Sequence, residues 1–191
     1  MTGCGLGAHQ ANWSADRKGD DMASKVYFMG SRSNSFQTGY VAEMLQVFGA
    51  AGFADLIRPK DIVAIKVHCG EWNNTSYLRP VYARALADKV KELGGRPFVC
   101  DTTTQPYNVH AGRVTELDML LTAERNGYTS AVLGCPFIVA DGWIGTADVR
   151  VDVPDGFIVK EAYVAQAIAH ADKMIVLSHF KGHPIGVAGA Q

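Results

Sequence analysis

Apolar residues along this chain fall into two kinds of run that alternate. Short stretches apolar at nearly consecutive positions lie at 61–69, 96–100 and 173–177, and between them apolar residues recur three and four apart. Consecutive apolar positions are the pattern of a strand covered on both faces of a parallel sheet, whereas spacings of three and four mark one face of a helix. Residues 40–48, with Val41, Met44, Leu45 and Phe48 in register, predict a helix that stops near Gly49 and Gly52. Residues 80–93 predict another, with Pro80 in its first turn, Tyr82, Leu86, Val90 and Leu93 along one side, and Gly94-Gly95 as the stop. Residues 117–125 predict a third, closed by Asn126-Gly127, and 161–171 a last helix feeding the strand at Lys173. Further short strands are expected at 25–29 and 130–133. Within 136–159, Val149, Val151 and Val153 alternate ahead of a Pro154-Asp155-Gly156 turn, the signature of a small hairpin.

Strands alternating with helices predict an α/β fold, a largely parallel sheet with flanking helices and a small hairpin excursion around 136–159. Residues 1–24, rich in Gly, Ala and polar types without periodicity, read as a disordered leader; 25–191 read as a single α/β domain. The leader's Gly3-x-Gly5-x-Gly7 has no strand before it and no helix pattern at the required place, so it is not read as a phosphate loop. With 48% hydrophobic and 19% charged residues the chain is globular, and a net charge of -1 gives no bulk attraction to nucleic acid or to an anionic membrane. Neither partner is expected. The first residues lack the pattern of a secretory signal and no stretch approaches a membrane span, so a cytoplasmic protein is expected. Cys4, Cys69, Cys100 and Cys135 form no Cys-x-x-Cys pair, and the last three lie in or beside apolar runs, where free thiols act as small hydrophobes.

Chemistry concentrates where strands end. Lys66-Val-His68-Cys69-Gly70 closes one run, Asp101-Thr102-Thr103-Thr104 follows another, and Ser178-His179-Phe180-Lys181-Gly182-His183 follows a third. Ligands of open α/β sheets bind outside the carboxyl ends of the strands, so these three ends meet in one crevice if the strands are neighbours. His68 and His179 are the candidates for acid-base work, or together for holding a metal ion, since imidazole titrates near neutrality and offers a nitrogen ligand. Lys181 suits a phosphate or carboxylate, and Lys66, inside its strand, reads as a charge at the sheet margin paired with a carboxylate. Asp101 can orient a histidine or bond a ligand, and equally can cap an Asx turn. Asn74 and Arg79 lead into the helix at Pro80, whose amino end favours anions. His9, His110 and His170 are given no role.

The segments Asp61-Ile-Val-Ala-Ile-Lys-Val-His68, Asn74-Thr-Ser-Tyr-Leu-Arg-Pro80, Gly95-Arg-Pro-Phe-Val-Cys-Asp-Thr-Thr-Thr104, Asn126-Gly-Tyr-Thr129 and Leu177-Ser-His-Phe-Lys-Gly-His183 together resemble the domain-of-unknown-function family numbered 362. The resemblance runs from about Lys25 to the end. It implies an α/β domain associated with iron-sulfur chemistry, because many members carry a ferredoxin-like cysteine segment after this domain. No such segment lies in this sequence, and the domain reads as cut short at its C-terminal end. An iron-sulfur cluster is therefore expected only from a partner or a missing segment, and on no cysteine here. Carried over residue by residue, the resemblance bears on His68, Asn74, Arg79, Asp101, Thr102, His179, Lys181 and His183.

Two functions compete. The first is a redox or proton-transfer enzyme domain acting on a small anionic molecule, with His68, His179, Lys181 and Asp101 catalytic and Asn74, Arg79, Thr102 and His183 binding the ligand. The second is a non-catalytic binding or electron-transfer accessory domain that docks a ferredoxin-like partner.

Overall fold

The computed structural model describes residues 25–30, 32–33, 35–104, 112–183 and 187–190. The expected leader, with Cys4 and His9, and the loop carrying His110 lie outside these residues. The described chain divides into two compact units, 1–56 and 57–191.

In the first unit, helix α1 (Tyr40–Ala50) forms as its spacing predicts and buries Phe48, whose ring meets Phe53 edge-on with centroids 5.7 Å apart. Residues 25–29 form no strand: Val26 and Phe28 are exposed and the segment pairs with nothing among the described residues.

The second unit is built on four parallel strands. β1 (Ile62–Lys66), β2 (Arg96–Asp101), β3 (Phe137–Val139) and β6 (Lys173–Val176) lie in the order β3-β2-β1-β6. Val63, Ala64 and Ile65 are all fully buried, which requires cover on both faces of β1. Helix α2 (Pro80–Glu92) supplies part of it, packing against β1 and β2 and burying Ala83, Leu86, Ala87 and Val90. Ala64, Phe98, Cys100 and Ala140 form a second cluster, closed by Ala165, Ala167, Ile168 and Ala171. Helix α3 (Glu116–Arg125) starts at Thr115, whose hydroxyl accepts from the Asp118 N–H while the Asp118 carboxylate accepts from the Thr115 N–H.

Three expectations are corrected here. Residues 130–133 are not a strand but one helical turn, α4 (Ser130–Leu133): Thr129 caps it by accepting from Val132 N, and left-handed Gly134 ends it. Residues 161–171 are not one helix. Glu161–Ala165 is strand β5, antiparallel to β4 (Asp148–Asp152), and only Gln166–Ala169 is helical, as α5. Pairing outweighs the helix propensity of the alanines, helped by an Arg150 Nε–Glu161 Oε2 ion pair of 2.8 Å. The hairpin thus exists, but reaches to residue 165, while residues 137–139 join the parallel sheet instead. Finally, β6 is not covered on both faces. It is an edge strand, with Met174 52% and Val176 51% exposed; a continuous apolar run does not by itself distinguish centre from edge. Beyond β6, strands β7 (Phe180–His183) and β8 (Val187–Ala190) make a second antiparallel pair. No helix among the described residues is long and apolar enough to cross a membrane.

Candidate functional site

β1 has β2 on one side and β6 on the other, all parallel, so the three polar strand ends are neighbours. Pairing persists past the strands proper, with Val67 N donating to Cys100 O and Leu177 N to Lys66 O, both at 2.9 Å. Asp101, at the end of β2, organises the junction. Its side chain is 1% exposed and accepts from Lys66 Nζ at 3.0 Å, Cys69 N at 3.0 Å and Thr102 N at 2.8 Å. A carboxylate so enclosed is worth its desolvation only because both oxygens are hydrogen-bonded and a lysine pairs the charge. Asp101 thereby fixes the Lys66 ammonium and the backbone at Cys69 and Thr102. Lys66 is indeed paired with a carboxylate, and also donates to Val67 O at 2.8 Å.

His68 follows β1 and is buried. Its Nδ1 receives the Gly70 N–H at 3.2 Å and faces Arg113 Nη1 at 3.3 Å, while Asp101 Oδ2 is 3.8 Å away. Both close neighbours are donors, so Nδ1 carries a lone pair and the ring's proton sits on Nε2. Burial, then the charge of Arg113, pushes the pKa down to about 4, with Asp101 pulling the other way and Lys181 and Lys66 adding to the depression. At neutral pH His68 is an uncharged imidazole among cations.

The loop that holds it is tightly specified. Gly70 has φ +98°, and a Cβ there would lie 2.7 Å from Asn126 Nδ2 and 2.9 Å from Tyr77 Cβ. Asn126, just past α3, donates from that same amide to Cys69 O at 2.9 Å. Only glycine lets the strand turn this close to its neighbours.

Sequence reasoning missed two members of the cluster. Arg113 is 8% exposed at its side chain, with Nη2 2.5 Å from Glu71 Oε1 and Nη1 3.7 Å from Asp101 Oδ2. It lies outside any strand end or periodic run, so no local pattern flags it; Glu71 does follow the strand-end motif closed by Gly70, but a lone glutamate in a turn reads first as a solvated charge. Lys181, in β7, is half-buried and makes no side-chain hydrogen bond among the described residues. Desolvation, then Arg113, lowers its pKa, with Glu71 and Asp101 opposing and Lys66 adding to the fall. Three cations, Lys66, Arg113 and Lys181, therefore face two carboxylates, Asp101 and Glu71, around a neutral histidine.

The remaining candidates make no side-chain hydrogen bond to this cluster among the described residues whose side chains are placed. Thr102 touches it through its backbone. His179, between β6 and β7, is half-buried with no side-chain hydrogen bond among the described residues. His183 ends β7. Asn74 is exposed and folds back to accept from Ser76 N at 2.7 Å, on the rim of an open cleft of 310 Å³ shared with Asn73, Thr75, Tyr77, Arg125 and Asn126. Arg79 is exposed at the amino end of α2, without a side-chain partner among the described residues.

Cys69, Cys100 and Cys135 do not suit a reactive thiol. Cys69, Cys100 and Cys135 are free and buried, burial raises all three, Cys100 to about 12, and no group of three or more Cys, His, Asp or Glu among the described residues is arranged to hold a metal.

A family model described as a domain of unknown function (DUF362) matches residues 63–190. No curated protein and no solved structure matches the chain.

Proposed function

The chain belongs to the DUF362 family, and from that premise we propose that its domain is an enzyme domain that binds a small anionic molecule over the adjoining ends of β1, β2 and β6 and engages it through the Nε2–H of His68. The observation that carries this reading is the company His68 keeps: Arg113, Lys181 and Lys66 surround an imidazole held neutral at physiological pH. Such cations favour an anion over a metal ion as the ligand, and an anion drawn in beside His68 raises its proton affinity toward neutrality. With its Nδ1 lone pair already turned to Gly70 N–H and Arg113, the neutral ring offers Nε2–H, which polarises a bound oxyanion while Arg113 and Lys181 stabilise negative charge as it develops. Between proton transfer and redox chemistry, the raised thiol pKa values of Cys69 and Cys100 speak against thiolate redox work by this chain. Holding a metal between His68 and His179 is the variant of this reading that the surrounding cations favour least.

The test is calorimetric titration of the protein with acetate and with inorganic phosphate at constant ionic strength, on wild type and Lys181→Ala. Millimolar or tighter binding that weakens about tenfold in the variant supports the reading; equal binding by both proteins overturns it.

A second reading rests on a different observation. Met174 and Val176 on edge strand β6, with Phe180 76% exposed beyond it, offer an apolar margin for docking. A non-catalytic accessory domain that docks a ferredoxin-like partner would use that margin.

A further inference from the structure

Arg113 presents five donors, and they are unequally used. Nη1 is turned to His68 Nδ1 and Asp101, and Nη2 meets Glu71 Oε1 at 2.5 Å. Nε is buried and has no partner among the described residues. Nε and Nη2 share the side edge of the guanidinium, which pairs with both oxygens of a planar carboxylate. Glu71 thus fills half of a two-point site and leaves the other half an unpaired buried donor, a costly state. Its side chain is 39% exposed, on a turn whose Gly70 and Asn73 both have positive φ.

We propose that the Nε and Nη2 edge of Arg113 is the recognition point for a carboxylate group on the ligand, and that Glu71 holds this place until the ligand displaces it. The inference rests on the anion-site reading above and narrows it to carboxylates. An incoming carboxylate exchanges a one-point contact for a two-point one and satisfies Nε. Lys181, whose proton affinity responds to both Arg113 and Glu71, supplies a second positive charge to the same neighbourhood.

Acetate and inorganic phosphate, titrated at constant ionic strength into wild type, Glu71→Ala, Glu71→Gln, Arg113→Lys and Glu92→Gln, test this. Glu92 is an exposed carboxylate on α2, and its variant controls for net charge. The expected result is acetate binding about tenfold tighter in both Glu71 variants, unchanged in Glu92→Gln, and about tenfold weaker in Arg113→Lys. The Glu71 variants alter a part-exposed side chain, so they stay informative if Arg113→Lys fails to fold. Equal acetate affinity in wild type and both Glu71 variants, or equal tightening in Glu92→Gln, overturns the displacement, while weakening by Lys181→Ala would leave the anion site standing. Tightening for phosphate alone overturns the carboxylate assignment. Binding of neither anion to any variant overturns both readings.

Discussion

Asp101 and His68 show how much a single position contributes to this site. Asp101 is enclosed, and its acceptors serve two backbone N–H groups and Lys66 at once. Replacing it with Asn keeps the shape but removes the charge and points an amide N–H at a donor. The expected cost of Asp101→Asn is about 3 kcal/mol in denaturant unfolding, since breaking a buried pair leaves the partner's charge uncompensated; a loss below about 1 kcal/mol would show that Lys66 reaches water instead. Gly70 gives an independent check of the same loop. With φ +98° and an added Cβ only 2.7 Å from Asn126 Nδ2, Gly70→Ala is expected to cost roughly 2–4 kcal/mol and to disturb His68, read as loss of its imidazole NMR signature.

At the scale of elements, the sheet divides into a centre and an edge. Ile65 on β1 is fully buried while Val176 on β6 is half-exposed, though both sit in apolar runs of similar composition. Truncation tells them apart: Ile65→Ala is expected to cost about 3 kcal/mol and Val176→Ala less than about 1, by urea denaturation. Equal losses would mean that β6 is covered. The same contrast explains what the sequence could convey. Elements with strong periodicity and clear punctuation, α2 between Pro80 and Gly94 above all, were legible to within a residue. Residues 161–165 were not, because an alanine-rich stretch becomes a strand only through pairing with β4, a contact that no local pattern records. Nor was the edge position of β6 legible, because strand order is a property of the sheet. Thr129 and Gly134 do carry the signal for α4, a cap and a stop with four residues between them, but the apolar Ala131, Val132 and Leu133 suit a strand equally well.

For the whole molecule, the topology converts three separated polar motifs into one cluster. The sequence placed His68, Asp101 and Lys181 at strand ends, and the adjacency of β2, β1 and β6 gathers those ends. It gave no hint of Arg113, which comes from a non-periodic segment and acquires its meaning only by burial beside Asp101 and Glu71. Burial of His68 also ties global stability to pH. Its pKa falls from 6.5 in the unfolded chain to about 4 in the folded protein, so between those values the unfolded chain binds a proton that the folded one refuses. This contribution is complete above pH 6.5 and is lost as pH falls toward 4, amounting to roughly 3 kcal/mol across that window. Unfolding free energies measured from pH 7.5 to 4.5 should fall in wild type and flatten in His68→Gln; parallel profiles would contradict the assignment.

The most direct test of the central claim is to observe the His68 imidazole itself. Long-range nitrogen-proton NMR, recorded through a pH titration with and without acetate, reports which ring nitrogen carries the proton and where the second one binds. The expected result is a neutral ring protonated at Nε2 at pH 7, titrating near pH 4 in the free protein and at higher pH with acetate bound. A ring that titrates near 6.5, indifferent to the anion, would contradict it.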